Sequence, residues 1–144
     1  MVTVTGGTCF GLMGISQDAA NVGRVRAWII ERLEEKIAFP LFMATETRND
    51  IVSCASEIVA NSVVHAAHGT RGDAVKIRLI LLRYRIRVEV TDPGPRNQGG
   101  ALHADTPNSD AETGRGLFIV DALSADWGDR LDGDGRMTWF ELER

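Results

Sequence analysis

Glu57, Asn61 and His65 stand four residues apart in the stretch 50–65, a run otherwise made mostly of small and apolar residues. Four-residue spacing puts three polar side chains on one stripe of a helix. Ile51, Ala55, Ile58, Val59, Ser62 and Val63 surround that stripe and predict that much of the helix is buried. A carboxylate and an amide beside a core cost free energy unless they have partners. A carboxylate there can accept a proton from an attacking hydroxyl or water. An amide oxygen one turn later can ligate Mg²⁺, a hard cation that takes oxygen ligands and keeps several waters. Alone, a Glu-x-x-x-Asn pair occurs by chance in many proteins and favours the plainer readings, a helix-surface pair or a mutually hydrogen-bonded buried pair.

Two further groups carry comparable chemistry. Asp92-Pro93-Gly94 ends an apolar strand pattern. Asp92 is either a turn residue or an acceptor for an exocyclic amine, with Gly94 letting backbone approach closely. Gly114-Arg115-Gly116-Leu117 precedes the apolar run 117–123. Glycines ahead of a helix expose backbone N–H groups and the positive dipole end where phosphates bind. The spacing is that of neither a Walker nor a Rossmann loop, and no strand precedes it.

The elements that must position these groups follow from periodicity. Ser16-Gln17-Asp18 caps a helix to about Lys36, with Val22, Val25, Ile29 and Leu33 on its apolar face. Phe39-Pro40 breaks it. A capping box at Thr47, or a cap a turn earlier at Thr45, opens the second helix, which runs to about Ala67. Residues 68–73 read as a loop. Val75, Ile77, Leu79 and Leu81 define a strand, and Ile86, Val88 and Val90 alternate strictly with Arg85, Arg87 and Glu89 in a half-exposed antiparallel strand. Residues 96–113 are polar and small, an irregular length that suits a lid. A last hairpin turns at 132–135. The segment 1–14 reads as a flexible start leading into an edge strand.

The 144 residues suit one domain, 1–144, with its own core. Charged residues at 25% and hydrophobic residues at 44% are ordinary for a soluble globular chain. A net charge of −4 argues against direct nucleic-acid binding. Cys9 and Cys54 suggest neither a disulfide framework nor a zinc site, and a reducing cytoplasmic compartment fits them. No signal peptide or membrane span is expected.

Order and spacing together say more than each group alone. A helix with Glu57 and Asn61, a strand ending in Asp92-x-Gly94, a long lid and Gly114-x-Gly116 at a helix resemble the GHKL (HATPase) ATPase superfamily. Within it, the chain resembles the bacterial anti-sigma-factor serine/threonine kinases. Glu57-Ile-Val-Ala-Asn61-Ser-Val-Val-His65-Ala66 matches their N-box, Asp92-Pro-Gly94 their first glycine box and Gly114-Arg-Gly-Leu-Phe-Ile-Val120 their second, with 138–142 similar to their last strand. The resemblance spans about residues 15–143. It implies the Bergerat ATP-binding fold, an α/β (α+β) two-layer sandwich with a mixed, mostly antiparallel sheet and helices on one face. It further implies that Asn61 binds Mg²⁺, Glu57 is the general base, Asp92 reads adenine, and Gly94, Gly114, Gly116 and Leu117 shape the ATP pocket under the lid. Family members phosphorylate an anti-anti-sigma (STAS) partner, sequester a sigma factor and commonly form homodimers.

The sequence departs from that pattern. Many relatives carry Thr two residues before the last-strand Trp, near the adenine; here that residue is Met137, and Thr138 is expected on the other face of the strand. Glu112 and Thr113 stand where some relatives place an Arg for the γ-phosphate, which leaves Arg115 as the substitute cation. His65 reads as a structural histidine near the pocket. Three activities fit: a Ser/Thr kinase acting on a STAS protein, a nucleotide-gated protein-binding module without kinase activity, and a stand-alone ATPase.

Overall fold

Alternation in the strand sequences and helical periodicity in the 20s and 50s sort the chain into two layers. In the computed structural model, residues 3–4, 6–37, 43–66, 74–94, 111–133 and 135–144 are described. The strands are β1 (Thr3–Val4), β2 (Gly7–Ile15), β3 (Val75–Leu81), β4 (Arg85–Asp92), β5 (Asp126–Asp132) and β6 (Gly135–Glu143). The helices are α1 (Ala20–Ile37), α2 (Thr45–His65) and α3 (Ala111–Leu123). The strands form one six-stranded sheet in the order β1-β2-β3-β4-β6-β5. Every neighbouring pair is antiparallel, the limiting case of the mostly antiparallel sheet expected. The strand expected after a flexible start is β2, which pairs with β3 over residues 8–15, with an irregularity between Cys9 and Gly11, and is not an edge strand because β1 pairs on its other side.

The core lies between the helices and one sheet face. Val25, Ile29 and Leu33 of α1 and Ile51, Cys54, Ala55, Ile58 and Val59 of α2 meet Ile77, Leu79, Val88 and Phe140. These are the residues that periodicity selects, since one face of each element must leave water. Asp18 caps α1 as expected, its Oδ1 accepting from Ala20 N–H at 2.9 Å. Helix α2 begins at Thr45 with Ala44 before it and no side-chain cap, so Thr47 lies inside the helix. The loop expected over 68–73 and most of the lid, 96–110, lie outside the described residues.

The opposite sheet face is not simply solvated. Register pairs Arg78 with Glu89, Glu89 with Trp139 and Arg87 with Glu141 across β3, β4 and β6. Arg87 bridges Glu89 and Glu141 at 2.9 Å each and lies 4.2 Å over the Trp139 ring. These neighbours bury Glu89 to 8% exposure. The expected half-exposed strand therefore has a second, polar packing layer, because long charged side chains cover one another with their stems.

Candidate nucleotide site

Helix α2 packs against the sheet at β3, β4 and β6 and against α3. Its buried side is the one expected: Ile51, Ala55, Ile58, Val59, Ser62 and Val63 are all buried. Glu57, Asn61 and His65 are only half-buried, so the polar stripe lies at the border of the core. That position lowers the desolvation cost of the carboxylate and keeps it reachable. Among the described residues neither Glu57 nor Asn61 makes a hydrogen bond or ion pair, which leaves their polar atoms for a ligand. Cys54, on the buried side, has its thiol pushed up to about 12 by burial first and then by the Asp50 and Glu57 charges. It is an inert core thiol.

Helix α3 meets this stripe at Gly116. A Cβ on Gly116 would lie 3.0 Å from Glu57 Oε2 and 3.4 Å from Asn61 Nδ2. Glycine allows this close approach, and it brings Glu57, Asn61 and the start of the 117–123 run together. Leu117, next in the chain, is half-buried. The expectation that Gly114 and Gly116 precede the helix is corrected: α3 begins at Ala111, so both lie inside it. Packing of α3 against α2 carries the helix back over them, outweighing the cost of each glycine, about 1 kcal/mol. Free N–H groups at this helix end therefore belong to residues nearer Ala111. The side chain of Arg115 lies outside the described residues.

The second cluster forms at the end of β4. Asp92 is 3% exposed. Its Oδ1 accepts from Gly94 N–H at 2.7 Å, a turn made possible by Gly94 at φ 86°. Its Oδ2 meets Arg136 Nη2 at 3.2 Å. Arg136 is the cross-strand neighbour of Asp92, and Gly135 keeps β6 close, since a Cβ there would press on the Asp92 carbonyl oxygen.

Arg136 is the residue that sequence reasoning missed, and the same register corrects the reading of Met137. Phe140 and Leu142 belong to the core. Period two then puts Thr138 and Arg136 on their face, opposite Val90 and Asp92. Met137 lies on the far face, paired with Thr91. Thr138 therefore shares the Asp92 face, and Met137 does not. Matching the alternation of 86–90 to that of 138–142 before assigning roles would have revealed this.

The donor set suits Mg²⁺ brought in by a polyphosphate. Among the described residues no group of three or more His, Cys, Asp or Glu forms a protein cage for a metal. One amide oxygen, from Asn61, suits an ion that keeps phosphate and water ligands. Among the described residues no helix is long and apolar enough to cross a membrane.

Comparison with known proteins bears on the family and the fold. No curated protein matches the chain in sequence. Among solved structures, the chain is similar to the RsbU and RsbW domains of Rv1364c from Mycobacterium tuberculosis, with a TM-score of 0.68 and 20% identity over 93% of this chain and 32% of that one. It is also similar to the Erythrobacter litoralis EL346 blue-light activated histidine kinase, with a TM-score of 0.56 and 22% identity over 86% of this chain and 41% of that one. The histidine kinase domain of that protein aligns with a TM-score of 0.55 and 20% identity over 89% of this chain and 61% of the other. The chain thus spans between about a third and three-fifths of these longer chains, and the likeness shows a shared fold. The histidine kinase-like ATPase domain matches residues 15–142. The chain belongs to that family, within the GHKL ATPases.

Proposed function

We propose that this protein is an ATP- and Mg²⁺-dependent serine/threonine kinase of the anti-sigma-factor type, which phosphorylates a STAS-domain anti-anti-sigma partner and thereby controls a sigma factor. The observation that carries the reading is the meeting of Glu57 and Asn61 with Gly116. It joins a carboxylate, a hard-cation ligand and the second glycine box in one place. The N-box and glycine-box matches and the similarity to the RsbU and RsbW domain structure support the anti-sigma branch.

In the proposed reaction the hydroxyl oxygen of a partner Ser or Thr bonds to the γ-phosphorus of ATP, the bond to the β,γ-bridging oxygen breaks, and ADP leaves. Glu57 accepts the hydroxyl proton. Asn61 would hold Mg²⁺, which when bound offsets phosphate charge. Asp92 accepts from the adenine amine, and Gly94 lets the backbone approach the base. Gly114, Arg115 and Leu117 complete the phosphate side, with the lid over 96–113 closing on it. The protein works in the cytoplasm as a homodimer.

The test is transfer of label from γ-labelled ATP to a Ser or Thr of the STAS protein encoded in the same genome. Label on that protein supports the kinase. ATP binding without transfer would leave a nucleotide-gated binding module, and phosphate release without a protein substrate would leave an ATPase.

A further inference from the structure

Asp92 is not a lone acceptor. One of its oxygens is taken by Gly94 N–H and the other by Arg136. The Asp92 side chain is 1% exposed and that of Arg136 12%. A buried ion pair is a weak source of stability, because desolvating both charges costs about what their attraction returns. Folding alone therefore gives the pair little reason to be there. Nor is Arg136 saturated: its Nε is buried with no hydrogen-bond partner among the described residues. A guanidinium carries five N–H donors in a rigid fork, and Asp92 takes one through Nη2. The end of β4 and β6 thus holds a carboxylate beside a guanidinium with an unmatched N–H, on the face of the sheet that packs against α2.

We infer that Arg136 is a second base-reading residue, a specificity determinant that acts with Asp92 on the edge of a 6-aminopurine. The inference rests on the reading above in which Asp92 accepts from the adenine amine. In adenine the 6-amino donor lies beside N1, a ring acceptor. Asp92 takes the amine hydrogen and Arg136 donates to N1. In a 6-oxopurine held the same way, O6 faces the carboxylate and N1–H faces the guanidinium, so acceptor meets acceptor and donor meets donor. Sites that hydrogen-bond a ligand reject analogues lacking the matching group strongly, because buried polar groups are then left unpaired. Asp92 alone reads one atom of the base; with Arg136 the site reads two adjacent ones, and the contact between the two side chains holds both in place beforehand.

The experiment is calorimetric titration of the full chain, with Mg²⁺, against ADP, 1-deaza-ADP (N1 replaced by C–H) and inosine diphosphate. Wild type is expected to bind ADP about tenfold or more tighter than 1-deaza-ADP, the loss of one charge-assisted hydrogen bond, and to bind inosine diphosphate more weakly still. Arg136→Met, its fold checked by thermal melting, is expected to bind ADP more weakly and to treat ADP and 1-deaza-ADP alike. Wild type that binds 1-deaza-ADP as tightly as ADP overturns the inference while leaving the nucleotide reading intact, and that comparison needs no variant to fold. Wild type that binds no ADP overturns both.

Discussion

Gly116 of α3 approaches Glu57 of α2 so closely that a Cβ at 116 would stand 3.0 Å from Glu57 Oε2. Gly116 thus acts by closeness between helices, from inside α3. Gly116→Ala separates stability from function. Alanine gains about 1 kcal/mol of helix propensity over glycine, while the atom it presses on is the movable end of a side chain. Thermal melting should show a midpoint within a few degrees of wild type. Glu57 must give by a few tenths of an ångström, and a misplaced base loses alignment with its hydroxyl. Phosphotransfer should fall about tenfold or more; unchanged transfer would mean that Glu57 does not work from this position.

Glu57 and Asn61 share the stripe but have different expected losses. Glu57→Ala should retain nucleotide affinity and lose transfer by about a hundredfold or more, the usual size of a general-base contribution. Asn61→Ala should weaken ATP binding in Mg²⁺ and change it little in EDTA, because its proposed role passes through the cation. Equal affinity of Asn61→Ala and wild type in Mg²⁺ would remove the metal assignment.

Much of this was legible in the chain because burial and period are local properties. Val25, Ile29 and Leu33 of α1, and the buried side of α2, follow from apolar spacing alone. The three segments proposed for the site are singled out by residue type and order, and the structure brings Glu57 and Asn61 against Gly116. Two things were not legible. The start of α3 at Ala111 was hidden because glycines read as helix breakers, whereas packing against α2 outweighs about 1 kcal/mol each. Arg136 was hidden because its meaning comes from register with Asp92, 44 positions away. Strand pairing is non-local, and a one-residue slip exchanges the faces of every side chain. That alternation is what separates Met137 from Asp92 and puts Thr138 and Arg136 on the Asp92 face.

The outer sheet face should make its own contribution to stability. Arg87 contacts Glu89 and Glu141 at 2.9 Å each and covers the Trp139 ring. Arg87→Ala removes both ion pairs and the cation–π contact, and leaves Glu89, 8% exposed, with Arg78 at 3.6 Å. Loss of about 1–3 kcal/mol is expected, read as a lower urea midpoint, with a shift in Trp emission as the ring gains water. High salt should narrow the gap between the two proteins only partly, since the pairs are largely shielded from solvent. A variant with the wild-type midpoint would reduce this layer to surface decoration.

Cys54 predicts how stability changes in alkali. Its thiol is raised from 9.0 to about 12 in the folded protein, by burial first and by the Asp50 and Glu57 charges next. Between these values the unfolded chain loses the thiol proton and the folded chain keeps it, so the unfolded state binds fewer protons and rising pH favours unfolding. The contribution is fully present below 9.0 and is lost as pH rises through about 12, with a slope of about 1.4 kcal/mol per pH unit inside the window. Urea titrations of wild type and Cys54→Ala at pH 8.5 and about pH 11 isolate it, because the other titrating groups are common to both. The variant starts lower, having lost buried volume, but should lose less stability on going to the higher pH. Parallel losses in the two proteins would mean that the thiol ionises in the folded state as it does in the unfolded chain, and that α2 is not sealed against the core at this position.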